Sequence, residues 1–195
     1  MSSVSLPVSY NGVLTDDQLD TSLQTWIASL CGLDSTLVRP WWQPDPPPIP
    51  EFETPCWVAI GITRRVLDWD PVTEQQPQLG PLKATVFRNE RIEAIMAFYG
   101  RAAGDTALVF RQGTGISGNL EQLGPIKLVS VEDKITTSEY IKGRWQRRVD
   151  VGVVLRRPVQ FTYGQPEFVG VYGTIYSEEI PPIDFDARAP LNKKE

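Results

Sequence analysis

The sequence predicts an α+β domain, in which a mostly antiparallel sheet carries helices on one face and extended arms at both ends. Three observations lead to this fold class: one amphipathic segment of helical period near the N-terminus, several strand-like runs after residue 56, and the order helix, strands, helix, strands. The 195 residues suit one domain with extensions. We therefore assign residues 1–195 to a single domain, with arms at 1–13 and 178–195 and a proline-rich aromatic linker at 40–55.

The clearest local signal predicts a helix from Asp16 to Cys31. Thr15 can cap its N-terminus in a capping box with Gln18, and two aspartates occupy the first turn, where the helix dipole favours negative charge. Gly32 is placed to end the helix in a left-handed conformation. The apolar residues recur at helical spacing and define one buried face: Leu19, Leu23, Trp26, Ile27 and Leu30.

The segment after this helix is rich in proline and aromatic residues. Five of the seven residues from Pro44 to Pro50 are prolines, which favours an extended polyproline conformation. Trp41 and Trp42 precede it, and two adjacent tryptophans are costly to leave in water. They either pack on the chain's own sheet or anchor a neighbouring subunit, where tryptophan and arginine are the usual hot-spot residues.

The remainder of the chain alternates between strand-like and turn-like segments. A second helix is predicted at 100–112, followed by a short turn that Ser117 caps and Gly124 ends. Residues 68–81 are turn-rich and predict a long excursion, and residues 134–140 are polar and predict a loop. Strands are predicted at 56–63, 83–88, 91–99, 126–131, 144–161 and 168–176.

The strand predicted at 144–161 is the longest. Its alternation predicts one face with Trp145, Val149, Val151, Val153 and Leu155. Residues of the opposite face are polar: Arg144, Gln146, Arg148 and Asp150.

Composition excludes several classes of function. The chain contains no histidine, which removes the commonest general base, the commonest metal ligand and every Ser-His or Cys-His nucleophile pair. Cys31 and Cys56 cannot close a zinc site alone, and we expect both to be buried reduced thiols. We therefore expect no enzyme and assign no catalytic, cofactor-binding or metal-binding residue.

Charge and hydropathy limit the partners. The net charge is −5, whereas a protein that grips DNA phosphates normally carries a basic excess. An acidic balance suits a surface past which DNA slides without being held. No apolar run approaches the roughly 20 residues that span a bilayer, and the first residues lack the pattern of a signal peptide. We expect a protein that is made in a cytoplasm and has no membrane partner.

A glycine-rich stretch, Gly113 to Gly118, formally matches G-x-G-x-x-G. The dinucleotide fingerprint requires a strand before the glycines and a long helix after them. Here a predicted helix precedes and only a short turn follows, so a glycine-rich connector is the better interpretation.

Five arginines lie near the two ends of the longest predicted strand, and three interpretations of them stay open. They form a solvated strand face, they make salt bridges to carboxylates of an adjacent subunit, or they contact phosphates. The arginines are Arg144, Arg147, Arg148, Arg156 and Arg157. Candidate carboxylate partners lie in the acidic tail: Glu178, Glu179, Asp184 and Asp186.

Four stretches, in this order, resemble the phage neck (tail) terminator family of contractile-tailed phages. They are Val38 to Pro44 with the prolines that follow, Cys56 to Ile62, Arg91 to Gly100 with the following helix, and Gly143 to Asp150 with the following strand. The resemblance covers about residues 15 to 176. It implies a virion protein without catalytic residues, one subunit of a typically hexameric ring that joins the head connector to the tail tube or sheath. Such a ring leaves an axial channel through which DNA passes without specific binding. Whether this chain caps the tail or forms an adjoining collar or gateway ring stays open.

If the chain is such a ring subunit, its interface candidates are the tryptophans and arginines with the acidic tail: Arg39, Trp41, Trp42, Arg144, Trp145, Arg147, Arg148, Arg156, Arg157, Glu178 and Glu179. Two alternatives belong to other classes. One is a phage-associated nucleic-acid-binding assembly factor that uses the strand from Arg144 to Arg157. The other is a carboxylate-dependent hydrolase, for which scattered Asp and Glu residues are the only support.

Overall fold

The computed structural model describes residues 7–11, 16–43, 45–51, 53–76, 83–164, 170–175 and 183–188. Its helices are α1 (Asp16–Cys31), α2 (Ala103–Gly113) and α3 (Ser117–Leu120), with short 3-10 turns at Ser35–Leu37 and Glu121–Leu123. Its strands are β1 (Pro7–Asn11), β2 (Val38–Pro40), β3 (Trp57–Leu67), β4 (Val72–Gln76), β5 (Lys83–Tyr99), β6 (Lys127–Val131), β7 (Ile135–Ile141), β8 (Arg144–Gly164), β9 (Gly170–Ile175) and β10 (Ile183–Arg188).

Two long antiparallel strands, β5 and β8, form the centre of an eight-stranded sheet. They pair without a break from Lys83 opposite Gly164 to Tyr99 opposite Arg148. The other edge of β5 is filled first by β3 and then by β4, and the other edge of β8 by β7, β6 and β1 in turn. Strand β2 extends the sheet parallel to β3. Strands β9 and β10 pair antiparallel in a separate two-stranded sheet.

Helix α1 begins and ends where the sequence predicts. Gly32 takes a φ of 63°, and the amide of Leu33 donates to the carbonyl of Ala28 at 2.9 Å. This bond joins residues five positions apart and satisfies a carbonyl that the helix leaves without a partner, as in a Schellman motif. The predicted N-cap, Thr15, lies outside the described residues.

The core lies between one face of the sheet and the helices. In α1 the predicted apolar residues Leu19, Leu23, Trp26 and Ile27 are fully buried, while Leu30 packs partly buried against them. The Trp26 ring meets the Phe110 ring of α2 edge to face at 5.3 Å, an arrangement that the quadrupoles of the two rings favour. Cys56 is buried as expected, but Cys31 is only half-buried, and both thiols are free. The arrangement confirms the α+β class, with helices packed on one face of a mostly antiparallel sheet.

Three predictions about strands were wrong. The runs at 83–88 and 91–99 are one strand, since the polar Asn89 and Glu90 between them keep their pairing to β8. Residues 134–140, predicted as a loop, lie mainly in the edge strand β7. Both faces of this strand are largely exposed, so its sequence lacks the alternation of apolar and polar residues that indicates a strand. The predicted excursion at 68–81 contains β4, which continues along β5 where β3 stops.

Two details of side-chain placement also differ from prediction. Ser117 is the first residue of α3 and not its cap, because the capping position belongs to Ile116 and has no side-chain bond. Trp145 was predicted beside the core valines of β8, but it is 70% exposed. The reason is that residues 144–147 of β8 extend beyond the end of β5, so no helix lies over them.

The termini contain short strands in the predicted arms. Residues 7–11 pair with the C-terminal part of β8 as an edge strand of the main sheet. In the C-terminal arm, the described segment 183–188 pairs with 170–175, whereas residues 168, 169 and 176 of the predicted last strand lie outside the described residues. No helix in the described part of the chain is long and apolar enough to cross a membrane.

Candidate subunit-interaction surfaces

The face of the sheet opposite the helices carries a half-buried polar network. Arg148 donates from Nε to Asp150 at 2.7 Å and from Nη1 to Glu139 at 2.9 Å, and the Tyr99 hydroxyl also donates to Glu139 at 2.9 Å. Burial and the bond to Glu139 raise the pKa of Tyr99 above its ordinary value. The bond to Asp150 raises the pKa of Arg148 above its ordinary value, which is already high. The network therefore stays ionised at Arg148 and protonated at Tyr99 across the physiological range.

The proline-rich segment is attached to the chain from two edges of the sheet. On β2, Arg39 donates to the carbonyls of Pro47 at 3.3 Å and Pro48 at 2.6 Å. At the turn between β7 and β8, Lys142 donates to the carbonyl of Ile49 at 3.0 Å. These bonds give the segment a defined path without any secondary structure of its own. Arg39, an interface candidate, thus has a structural role within the chain.

The two adjacent tryptophans occupy different environments. The Trp41 indole lies on the backbone of Gly61 in β3, so closely that a methyl group at Gly61 would overlap the ring. The Trp42 side chain is 80% exposed. Of the two alternatives open from sequence, packing on the chain's own sheet describes Trp41, while Trp42 is available to a neighbour.

One cleft lies at the end of the sheet and is here called the strand-end cleft. It has a volume of about 450 Å³. Arg101 and Arg147 are exposed at this cleft beside Trp145, and neither guanidinium forms an ion pair with a described carboxylate. The remaining lining residues are Glu51, Glu53, Thr54, Trp57, Gly100 and Gln146.

The second cleft lies at the side of the sheet formed by β2 and β3 and is here called the lateral cleft. It has a volume of about 510 Å³. Its acidic residues lie at the N-terminal end of α1: Asp16 and Asp17 in the first turn, and Asp20 just after it. Asp16 accepts a 2.6 Å bond from Arg65. Burial raises the pKa of Asp20, and the charge of Arg65 partly offsets this. The other lining residues are Trp41, Trp42, Ile60, Ile62, Thr63 and Arg64.

Most of the predicted arginine row is engaged within the chain. Arg157 is 3% exposed, and its Nε donates to Glu90 at 2.6 Å. Its neighbour Arg156 bonds Asp68, and Arg148 belongs to the network with Glu139 described above. Arg147, near the tip of the hairpin, is exposed and forms no ion pair among the described residues, and Arg144 beside it is exposed as well.

The four carboxylates of the acidic tail stay untested as partners of these arginines. Glu178 and Glu179 lie outside the described residues. Asp184 and Asp186 are placed on β10, opposite Thr174 and Tyr172 of β9. The carboxylates that do bond the arginines come from β5, β7, β8 and the residue after β3, so the predicted set of partners stays untested as an intersubunit contact.

A family model described as phage neck terminator protein matches residues 17–180 of the chain. The match covers most of the described domain, including the strand-end cleft and every lining residue of the lateral cleft except Asp16. The chain belongs to the phage neck terminator family. It is therefore a structural protein of the phage virion, located in the neck or tail.

Two further comparisons accompany the family match. No curated protein matches this neck protein. A solved chain from the virion of a native gene transfer agent particle is similar over 73% of this chain and 91% of its own length, with 16% identity and a TM-score of 0.25.

The described part of this neck protein offers little for chemistry. No group of three or more Asp, Glu or Cys side chains in the described ranges is placed to hold a metal ion. The glycine-rich stretch connects α2 to α3, so a helix and not a strand precedes it. Nothing in this geometry singles out a carboxylate for catalysis.

Sequence reasoning missed two residues of the lateral cleft and one exposed indole that lies outside both clefts. Asp17 and Asp20 were attributed to the helix start or passed over, although their position beside an exposed tryptophan makes them part of a cleft. Trp69, in the bend between β3 and β4, is 89% exposed. Its position inside a turn-rich segment is the signal that could have found it, because such a segment has little core in which to bury an indole.

Proposed function

We propose that this neck protein is one subunit of a ring that joins the head connector to the tail tube and sheath and leaves an axial channel for DNA. The subunits are copies of this chain, and a hexamer is the copy number that the family resemblance implies. In this role the protein acts by shape and performs no catalytic step.

The observation that carries the proposal is the exposure of large indoles on a chain that already has a complete core. Trp42, Trp69 and Trp145 all lie largely in water, whereas Trp26 fills the core. An exposed tryptophan beside charged groups is typical of a protein interface, where it becomes a binding hot spot. Because the chain belongs to a neck protein family, we expect such contacts to form in the phage neck.

The net charge of −5 supports the channel. Few positive groups in the lumen would neutralise DNA phosphates, so little counterion release would favour binding. The DNA would then pass through the channel without being held. The alternative, a nucleic-acid-binding factor, loses support because Arg148, Arg156 and Arg157 already bond carboxylates of their own chain.

Two measurements test the proposal. A side-chain-resolution reconstruction of the virion neck is expected to show several copies of the chain around the axis. A chain that stays monomeric at high concentration and is missing from finished particles contradicts it. For the alternative, binding of duplex DNA at low salt that weakens steeply with added salt would favour the nucleic-acid role.

Replacing Trp42 with alanine provides a sharper test of the interface. The indole is 80% exposed, so the free energy of unfolding of the monomer should change by less than about 0.5 kcal/mol. Ring assembly or incorporation into particles should fall strongly, since hot-spot tryptophans contribute about 2 kcal/mol or more. The matched control is Trp69→Ala, which removes an indole that is 89% exposed and lies outside both clefts. Equal effects of the two changes on assembly would show that the lateral cleft has no special part.

A further inference from the structure

The two clefts carry complementary groups. The strand-end cleft presents an exposed indole, Trp145, together with Arg101 and Arg147. The lateral cleft presents an exposed indole, Trp42, beside Asp17 and Asp20. Both sets therefore combine one large apolar anchor with two charges, and the charges have opposite signs.

These two sets cannot meet within one chain. Strand β3 passes both clefts: Trp57 lines the strand-end cleft, and the lateral cleft runs along the strand from Ile60 to Arg65. The aspartates lie at the Arg65 end, where Arg65 bonds Asp16. Trp57 and Arg65 are eight residues apart in the sequence, and at a rise of about 3.3 Å per residue a strand of that length spans about 26 Å. Pairing with β5, interrupted once between Ile62 and Arg64, holds the two ends of β3 apart. A second molecule must supply the complement of each cleft.

We infer that the strand-end cleft of one copy docks against the lateral cleft of the next copy, with Arg101 and Arg147 facing Asp17 and Asp20 across the contact. This inference rests on the proposed ring and names the surfaces that close it. The contact joins two different surfaces, so it is head-to-tail, and head-to-tail contacts close into rings when the rotation between copies permits. The two indoles lie in the contact and exclude water from the charges, which strengthens their attraction.

The remaining charges of the two clefts favour one direction of the contact. Glu51 and Glu53 line the strand-end cleft, and Arg64 and Arg65 line the lateral cleft. Turning the neighbour around would place like charges against each other, which costs free energy and suppresses the wrong orientation. The occupant of each cleft is therefore a second copy in one orientation.

Charge reversal tests the inference with two variants, D17K/D20K and R101E/R147E. Each variant alone places like charges across the contact, so native mass spectrometry at low salt should show rings of the wild type and at least tenfold fewer rings of either variant. In a one-to-one mixture, the intact arginines of the first variant meet the intact aspartates of the second, and the two reversed sets also attract. Mixing should therefore restore assemblies that contain both variants in equal amounts.

The controls reverse as many charges elsewhere on the surface. D105K/E121K, on the helical layer, matches the first variant, and K83E/K127E, on β5 and β6, matches the second, since all four side chains are exposed. Both controls should assemble as the wild type does, and circular dichroism should show the wild-type fold for all four proteins. Incorporation into particles of a phage that lacks its own copy, measured by mass spectrometry, provides the same comparison inside the neck.

The outcomes separate this inference from the proposed function. Normal rings of either variant alone, or a mixture that stays dispersed, would overturn the contact while leaving the ring itself standing. A wild type that neither assembles nor enters particles would overturn the ring, and the inference with it.

Discussion

The buried ion pair between Arg157 and Glu90 connects the two central strands and offers a quantitative test of the fold. The two residues lie opposite each other on β8 and β5, on the face of the sheet that the helices cover. Their side chains are 3% and 11% exposed, and Nε donates to Oε2 at 2.6 Å. Replacing Arg157 with methionine keeps the apolar stem but leaves the Glu90 carboxylate buried without its partner. Breaking a buried pair in this way costs about 3–5 kcal/mol.

Guanidinium chloride unfolding, followed by tryptophan fluorescence, measures this cost. With a slope of about 4 kcal/mol per molar for a chain of this size, the midpoint should fall by about 1 M at unchanged slope. The matched control is Arg156→Met on the neighbouring residue. That arginine bonds Asp68 in a half-exposed pair, and an exposed pair contributes about 0–1 kcal/mol.

A double variant distinguishes the cost of leaving one buried charge unpaired from the contribution of the ion pair itself. Replacing Arg157 with methionine and Glu90 with leucine together removes both charges, so most of the lost free energy of unfolding should return. Equal midpoints for Arg157→Met and Arg156→Met would refute the reasoning. A variant at Arg157 that is as stable as the wild type but fails to assemble would instead assign this arginine to a subunit contact.

Three further predictions concern local features of the fold. Gly61→Val should displace the Trp41 indole and lower the free energy of unfolding by about 1–3 kcal/mol through overpacking. A shifted tryptophan fluorescence spectrum and a lower melting temperature would show this. The control Gly104→Ala, with open space around the added methyl, should be neutral or stabilising. Gly143 takes a φ of 78° in the turn between β7 and β8, so Gly143→Ala should lower the free energy of unfolding by about 1 kcal/mol although nothing lies near the added methyl. Burial raises the pKa of the Cys31 thiol to about 12, so at pH 8 it stays protonated in the folded protein; iodoacetamide should label it far more slowly than in the unfolded chain, and equal labelling rates by mass spectrometry would contradict this.

Local signals explain why the first helix was predictable to the residue. The acidic first turn, the apolar period and Gly32 all act within a few residues of the element that they define, and the structure contains α1 from Asp16 to Cys31. The long strand β8 was also predictable, because Val149, Val151, Val153 and Leu155 recur at every second position, although Val154 adds an apolar residue to the other face.

Strand β7 shows the limit of such signals. Its residues are polar and mostly exposed, so their pattern indicates a loop. The strand exists because Lys142 and Gly143 both take positive φ, a turn whose twist matches a two-residue hairpin, and because β8 provides an open edge for pairing. A free edge of the sheet is a property of the tertiary structure.

The candidate surfaces divide in the same way. Sequence alone drew attention to the tryptophans and arginines, because those residue types dominate interfaces. It could not separate Trp41 from Trp42, since register places one indole over Gly61 and leaves the other in water. It also could not find the partners of Arg156 and Arg157, which lie 88 and 67 residues away in the chain.

The sequence by itself determined the fold class, the first helix, the absence of histidine chemistry and the resemblance to the neck terminator family. Each of these depends on composition or on neighbours within about one turn or one strand. Only the tertiary structure decided which arginines are used inside the chain and which charges remain exposed in the two clefts. The physical reason is that a charge is buried or exposed according to the strand beside it, and pairing between β5 and β8 brings together residues that the chain keeps far apart.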